Sequence, residues 1–134
     1  LKHLELNIIF VAFSPMANGF LTGAYNNPNA FTEAGDYRND MPQFTETGMK
    51  KAQELLDLLK KLAAEKNATS AQISLAWMIC KKPFIIPIPG SRKLHRLKEN
   101  FGAGNIQLSA QEISDIDAKL DTMEFEIFGG HATK

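Results

Sequence analysis

Residues 84–98, FIIPIPGSRKLHRLK, decide the fold class of this chain. The stretch opens with a short apolar run, passes through Pro89 and Gly90, and continues into a strongly basic segment. An apolar run without polar alternation is typical of a strand that is buried on both faces, as in parallel sheets. Its two prolines argue against a central strand of an antiparallel sheet. We therefore predict a buried strand over residues 84–89, a loop at Gly90 and a helix over residues 93–101.

The sequence on the N-terminal side predicts a second strand and two helices. Residues 8–13 (IIFVAF) form another continuous apolar run, and Ser14-Pro15 ends it. Helical spacing of alanine and leucine predicts a helix over residues 50–67. A capping box at residues 69–72 (TSAQ) predicts the start of a second helix, which runs to about Lys82. The first strand is thus followed by two helices before the second strand begins.

The remaining segments complete the order of elements. A second capping box, at residues 109–112 (SAQE), predicts a helix that runs to about Leu120. Residues 1–6 have the pattern of a helix end, and residues 123–134 form a tail without regular pattern. Residues 16–47 show little periodicity, and a loop of about thirty residues is typical of a functional lid. Strands separated by helices imply right-handed crossovers and a parallel sheet. Two such strands cannot form a stable sheet alone, so we expect the chain to be part of a larger α/β fold.

Composition places broad limits on function. The 134 residues carry no net charge and include one cysteine, Cys80, which excludes an internal disulfide framework and a cysteine-rich zinc site. No apolar run reaches the length of about 18 residues that a membrane span needs. The first residues have no signal-peptide pattern. This profile is typical of a soluble cytoplasmic protein.

The charges are unevenly distributed along the chain. Residues 60–98 contain nine basic residues and one acidic residue, while the flanking segments are acidic. Five of the lysines fall near the ends of predicted helices, where cations are favoured by the helix dipole. The basic cluster at residues 92–98 (RKLHRLK) needs a further explanation.

Gly90, Ser91, Arg92 and Arg96 form a candidate phosphate site. In parallel α/β folds, ligands bind at the carboxyl ends of the strands, and a helix N-terminus offers free N–H groups to an anion. Arg92 and Arg96 are one helical turn apart and can project from one face, where two guanidinium groups would clamp a phosphomonoester. Two other interpretations stay open, a solvated basic helix and a nucleic-acid surface. The second is weaker, because the basic residues are not interleaved with exposed aromatic residues.

Two motifs resemble the aldo-keto reductase family. Residues 86–100 (IPIPGSRKLHRLKEN) look like the last strand, loop and helix of these enzymes, and residues 11–23 (VAFSPMANGFLTG) look like their seventh strand and the loop that follows it. Residues 69–77 resemble the helix before the eighth strand, so the resemblance covers essentially the whole chain. The bacterial general-stress type and the potassium-channel β subunits look most similar. The resemblance implies that residues 1–134 are a single segment, the C-terminal part of a (β/α)8 TIM barrel with two parallel strands and crossover helices, incomplete as a barrel on its own.

The resemblance also implies an NADP(H) site. Phe13 would stack on the nicotinamide, and the residues after it would line the nicotinamide side and the pyrophosphate: Ser14, Pro15, Met16, Ala17 and Asn18. Arg38, on the long loop, would close over the pyrophosphate. Gly90, Ser91, Arg92 and Arg96 would hold the 2′-phosphate, while Glu99 and Asn100 would meet the adenine. Two positions depart from the family pattern, since many relatives have lysine at Ala24 and tyrosine or tryptophan at Phe13.

The sequence matches none of the family's catalytic motifs, which use tyrosine, lysine, histidine and aspartate. No catalytic residue and no metal ligand is therefore assigned, and the chain alone is expected to be inactive. One hypothesis is the NADP(H)-binding part of an enzyme that reduces a small carbonyl compound, present as a fragment, a proteolytic product or a truncated gene product. The alternative is a non-catalytic NADP-binding regulatory module. The expected partner is the N-terminal part of the barrel or a second copy of the chain, and neither nucleic acid nor a membrane is expected.

Overall fold

The computed structural model describes residues 6, 8–27 and 30–123. Within this part of the chain, two parallel strands, β1 (Phe10–Phe13) and β2 (Ile85–Ile88), pair along their whole length. Phe10 lies opposite Ile85 and Phe13 opposite Ile88, so both strands end at the same edge of the sheet. The predicted parallel pair is confirmed. The helix end expected at residues 1–6 and the tail expected after Met123 lie outside the described residues, Leu6 and Met123 excepted.

Four α-helices accompany the strands within the part of the chain that the structure describes. Helix α1 (Glu46–Glu65) and helix α2 (Ser70–Lys81) lie between β1 and β2 in the chain, and helix α3 (Leu94–Gly102) and helix α4 (Ala110–Asp121) follow β2. Thr69 and Ser109 cap α2 and α4 as their sequences predict, because each hydroxyl accepts a hydrogen bond from the backbone three residues on. Helix α1 begins four residues earlier than predicted. Thr45 caps it by accepting from the backbone N–H of Gly48 at 3.0 Å.

The predicted burial of the strands on both faces is wrong for this structure. Phe13 is 73% exposed, and about half of the surface of Val11 and Ile88 is exposed as well. Among the described residues, each strand has only the other as a neighbour in the sheet. Helix α2 packs beside β2, and no further strand within the described residues covers the apolar faces that the sequence provides.

The core lies between the helices. Its larger part joins leucines of α1, Ile73 and Ala76 of α2, and Ile116 of α4. Its smaller part contains residues from the long segment after β1, where Phe44 packs edge-on against both Phe20 and Phe31 at ring-centre distances of 5.5 and 4.7 Å. The predicted lid is thus ordered by its own aromatic side chains and by three short 3₁₀ turns, at Ala17–Thr22, Tyr37–Asp40 and Pro42–Phe44.

Ion pairs join the basic middle segment, residues 60–98, to the acidic segment that follows it. Lys81 donates to Asp117 at 2.6 Å, and the indole N–H of Trp77 donates to the same carboxylate oxygen at 2.9 Å. Asp117 is therefore an acceptor that joins α2 to α4. Trp77 and Cys80 pack against the core. Three basic residues of the middle segment, Lys66, Lys81 and Arg96, thus pair with acidic residues of the C-terminal segment. None of the helices within residues 6, 8–27 and 30–123 combines the length and the apolar character that crossing a membrane requires.

We expect Glu112 to contribute to the loss of stability in acid. Hydrogen bonds from Lys66 and from the backbone of Ser109 hold the pKa of Glu112 below its usual range. A depressed folded-state pKa gives stability above the unfolded-state pKa of about 4.3, and this stability is lost as the pH falls through the folded-state value. Because the pair is partly exposed, the contribution is about 1 kcal/mol or less.

Urea unfolding of the Glu112→Gln variant at pH 7 and at pH 3 measures this contribution. The variant should lose less stability between the two pH values than the unmodified chain. Glu65→Gln is the matched control, because the Lys61–Glu65 pair is exposed and its charged atoms are 3.9 Å apart. Equal acid sensitivity of the Glu112→Gln variant and the unmodified chain would contradict the assignment.

Candidate functional site

A cavity of about 360 Å³ opens where the two strands end. One wall is the turn that follows β1, and the other is the loop that joins β2 to α3. Because Phe13 pairs with Ile88, the next residues, Ser14 and Pro89, leave the sheet side by side. The lining comprises Ser14, Pro15, Met16, Asn18, Gly19, Thr22, Ala24, Tyr25, Ala71, Pro89, Gly90, Ser91, Arg96 and Asn100. The cavity therefore lies at the edge where parallel α/β folds bind ligands.

The turn after β1 holds three non-glycine residues in the left-handed region. Their φ angles are 47° at Ser14, 47° at Ala17 and 59° at Asn18. Backbone hydrogen bonds fix this turn, with the N–H of Ala17 donating to the carbonyl of Ser14 at 2.9 Å. Each such residue costs about 1 kcal/mol or more, and strained residues of this kind concentrate at ligand sites.

Gly19 allows Tyr25 to reach the cavity wall. A Cβ atom at Gly19 would lie 2.8 Å from Cε2 of Tyr25, and the φ angle of +95° also disfavours a side chain there. The Tyr25 ring in turn packs on Phe31 with a centre-to-centre distance of 5.0 Å. The cavity wall is thereby continuous with the aromatic part of the core.

The opposite wall is the start of α3. Lys93 is the N-cap residue of this helix, and its side chain makes no capping hydrogen bond. The hydroxyl of Ser91 accepts instead from the backbone N–H of Lys93 at 3.1 Å, which shapes the turn before the helix. Arg96 and Asn100 are four residues apart and both line the cavity. The arrangement presents the Arg96 guanidinium near the N-terminus of the helix, a combination that suits an anion, and the Asn100 carboxamide one turn further along.

Glu99, which lies outside the cavity lining, forms an ion pair with Arg96. Nη1 of Arg96 donates to Oε2 of Glu99 at 2.8 Å, and the hydroxyl of Thr69 donates to Oε1 at 2.7 Å. Burial alone would raise the pKa of Glu99, but these hydrogen bonds, with the charges of Arg96 and His95, bring the pKa below its usual range. A charged Glu99 engages one N–H of a guanidinium that has five, so donors remain for a ligand in the cavity.

The structure brings eight of the predicted site residues together around the cavity: Ser14, Pro15, Met16, Asn18, Gly90, Ser91, Arg96 and Asn100. Five lie outside its lining: Phe13, Ala17, Arg38, Arg92 and Glu99. Phe13 is exposed at the end of β1, and the Ala17 side chain is buried in the core. Glu99 faces Thr69 and Arg96, and Arg92 lies on the exposed turn before α3. The predicted helical spacing of Arg92 and Arg96 is not formed, because the helix begins only at Leu94.

Arg38 lies at a second cavity, of about 350 Å³, which shares Asn18 with the first. Nε of Arg38 donates to both carboxylate oxygens of Asp36, at 2.9 and 3.1 Å. These hydrogen bonds lower the pKa of Asp36 and raise that of Arg38. Arg38 therefore lines the second cavity and is separated from the first by other residues of the long loop.

Sequence reasoning missed six lining residues: Gly19, Thr22, Ala24, Tyr25, Ala71 and Pro89. Gly19, Thr22 and Ala24 fall within or directly after the motif of residues 11–23, which was the available signal. Tyr25 lies two residues past the end of that motif. Ala71 lies on α2 and had no signal, because it reaches the cavity only through the packing of that helix beside β2.

Comparison with known proteins agrees with the resemblance that these motifs carry. The sequence model described as "Aldo/keto reductase family" matches residues 1–121. The chain is 39% identical over 120 residues to "Aldo-keto reductase yakc [NADP(+)]" of Schizosaccharomyces pombe, covering 90% of this chain and 35% of that protein. It is 38% identical over 112 residues to "Aldo-keto reductase str7" of Strobilurus tenacellus, covering 84% and 33%. The chain thus spans about a third of the length of these curated relatives.

Solved structures show the same fold. The glycerol dehydrogenase AKR11B4 of Gluconobacter oxydans matches with a TM-score of 0.74 and 23% identity, covering 91% of this chain and 37% of that one. The thermostable aldo-keto reductase Tm1743, solved with the inhibitor epalrestat, matches with a TM-score of 0.60 and 22% identity, covering 88% and 32%. The two strands and their helices therefore correspond to part of a barrel, as the sequence predicts.

Proposed function

Because the chain belongs to the aldo/keto reductase family, we propose that it is the NADP(H)-binding part of an oxidoreductase that reduces aldehydes or ketones to alcohols. The observation that carries this proposal is one cavity that joins the turn after β1 to Arg96 and Asn100 of α3. The S. pombe relative is named for NADP(+), which agrees with the cofactor expected from the motifs. The bacterial general-stress and channel-subunit likeness stays a prediction, as does a cytoplasmic location.

The residues of the cavity fit a dinucleotide that carries a 2′-phosphate. A phosphomonoester is a compact anion, and the Arg96 guanidinium lies beside the open N-terminus of α3 where its charge and that of the helix dipole add. Gly90 has no atom within 4 Å of the place where a Cβ would stand, so a ligand can approach the backbone closely. We assign the 2′-phosphate to this wall, with Ser91 and Arg92 at its rim.

The other wall suits the rest of the cofactor. Ser14, Met16 and Asn18 present a hydroxyl, backbone groups and a carboxamide in a turn that its own hydrogen bonds hold. We assign the nicotinamide and the pyrophosphate to this wall, and the exposed Phe13 ring to stacking at its end. A bound nicotinamide cofactor supplies the hydride for carbonyl reduction. This chain's residues bind and orient that cofactor, and we place the catalytic groups outside the 134 residues.

Titration of the chain with NADPH and with NADH tests the proposal. We expect NADPH to bind at least about 10-fold more tightly, because one charge-assisted hydrogen bond to a phosphate contributes about 1.5 to 3 kcal/mol. Nicotinamide fluorescence or calorimetry measures both dissociation constants. Equal affinities, or tighter binding of NADH, would overturn the assignment of the 2′-phosphate. Binding of neither cofactor would overturn the proposed function.

The partner is proposed from the exposed apolar strands. We propose that β1 and β2 associate with the rest of a barrel or with a second copy of the chain, since Val11 and Phe13 of β1 and Ile86 and Ile88 of β2 are exposed apolar side chains. Size-exclusion chromatography with light scattering on the titration sample measures this. A monodisperse monomer that does not associate further would contradict it.

A further inference from the structure

The carboxamide of Asn18 is held from two sides by the long loop. The hydroxyl of Tyr37 donates to Oδ1 of Asn18, with 3.2 Å between the oxygens. On the other side, Nδ2 of Asn18 donates to the sulfur of Met41 at 3.6 Å. Both partners lie about twenty residues away in the chain. Asn18 is therefore the point at which the long loop meets the turn after β1.

Met41 decides which way the carboxamide points. A hydroxyl group can donate or accept a hydrogen bond, so Tyr37 alone could bond to either the oxygen or the nitrogen of the amide. A thioether sulfur accepts hydrogen bonds and has no proton to donate, so the nitrogen of the amide must face Met41. With its oxygen engaged by Tyr37, Asn18 keeps one N–H of Nδ2 for a ligand.

Tyr37 is itself held in place by the residues on either side of it. Asp36 and Arg38 form a bidentate ion pair, and the guanidinium of Arg38 lies over the ring of Phe31 at 4.2 Å from the ring centre. The same guanidinium lies 5.2 Å from the ring centre of Tyr25, a cavity-lining residue. Although the side chain of Tyr37 is exposed, its backbone is thus anchored to the aromatic core. The hydroxyl is presented to Asn18 by a rigid segment.

We propose that Tyr37 and Met41 are positioning residues that orient the Asn18 carboxamide toward an acceptor oxygen of the bound dinucleotide, with the Asp36–Arg38 pair as their anchor. This inference rests on the proposed function and deepens it. Asn18 lines both cavities, so the donor that it presents stands at their boundary. The ligand group that matches an N–H donor in this place is a phosphate or pyrophosphate oxygen. Arg38 acts on the site through Tyr37 and the aromatic rings, and needs no contact with the cofactor.

Titration with NADPH, paired with thermal unfolding, tests this inference in single variants. Tyr37→Phe removes only the hydroxyl, and Met41→Leu removes, at similar volume, the sulfur acceptor that Asn18 shares with the buried Gln43. We expect each to weaken NADPH binding about 3- to 10-fold, in line with one hydrogen bond. Tyr37→Phe should leave the melting temperature nearly unchanged, whereas Met41→Leu should lower it, because the buried Gln43 loses an acceptor. Met41→Gln offers a carbonyl oxygen of similar reach and should restore most of the affinity. Met49→Leu is the matched control, since Met49 packs in the same part of the core without a bond to Asn18.

A double-mutant cycle separates positioning from a structural role. Asn18→Gly removes the carboxamide, and glycine tolerates the left-handed backbone conformation at this position. In that background, Tyr37→Phe and Met41→Leu should have no further effect on NADPH affinity, because they act through the carboxamide. Effects that persist in the Asn18→Gly background would overturn the inference, as would unchanged affinity of the single variants when the unmodified chain binds NADPH. If the unmodified chain binds no NADPH, the proposed function fails first and the inference fails with it.

Discussion

Replacing Arg96 with methionine is expected to weaken NADPH binding about 10- to 100-fold and to leave NADH binding nearly unchanged. Methionine preserves most of the aliphatic stem and removes the charge and the N–H donors. The guanidinium lies in the cavity wall, and Glu99 uses one of its donors at 2.8 Å. Because the two cofactors differ by the 2′-phosphate alone, only the phosphorylated one loses a partner. Parallel titrations with the two cofactors measure the effect.

Lys98→Met is the matched control for Arg96→Met. Lys98 is an exposed cation on the same helix and lies outside the cavity lining. If a general positive field attracted the cofactor, the two variants would weaken binding alike and both effects would fade with salt. An equal loss of NADPH and NADH affinity in Arg96→Met would contradict a role in phosphate recognition. The pKa of Glu99 offers a second measurement, since loss of the Arg96 hydrogen bond should raise it.

Replacing Gly48 with alanine is expected to destabilise the fold by roughly 3 kcal/mol or more, beyond the usual cost of overpacking. Gly48 lies in the first turn of α1, where a Cβ atom would overlap the carbonyl oxygen of Pro42 and press on the backbone of Gln43. Backbone atoms cannot move aside as a flexible side chain can. The variant must therefore separate α1 from the Pro42–Phe44 turn and disturb the packing of Phe44. Urea unfolding followed by circular dichroism measures the loss.

The control for Gly48→Ala is Gly104→Ala. Nothing lies within 4 Å of the place where a Cβ at Gly104 would stand. This variant should change the free energy of unfolding by well under 1 kcal/mol, because it adds a methyl group to open space. Similar stabilities of the two alanine variants would show that the close approach at Gly48 does not exist in solution.

Sequence predicted the elements whose signals are local. The capping boxes at Thr69 and Ser109 place the starts of two helices correctly, because each box consists of hydrogen bonds that span three residues. The start of α1 was missed for a physical reason. Its cap, Thr45, is followed by Gly48, a residue typical of loops, which here is required by the close approach of Pro42.

The site was predictable where spacing alone decides it. Arg96 and Asn100 share a cavity wall because four residues make one helical turn. Arg92 does not join them, since the exact start of a helix without a strong cap is poorly encoded in local sequence. The bond between Thr69 and Glu99 joins residues thirty positions apart and depends on how α3 packs on α2. The contact between Arg96 and Glu99 follows from their i,i+3 spacing, but no local pattern could have predicted that Thr69 engages the other oxygen of Glu99.

The left-handed residues Ser14, Ala17 and Asn18 have a consequence for how this sequence can change. Glycine at any of the three would relieve a backbone cost of about 1 kcal/mol. It would also remove the Ser14 hydroxyl from the cavity, the buried methyl group of Ala17, or the Asn18 carboxamide that bonds to Tyr37 of the long loop. A laboratory population selected for heat resistance alone would therefore drift toward glycine at Ser14, whose side chain lines the cavity, and would lose a group of the proposed cofactor site as it gained stability. Asn18 should resist the same change, because its hydrogen bonds to Tyr37 and Met41 offset the backbone cost.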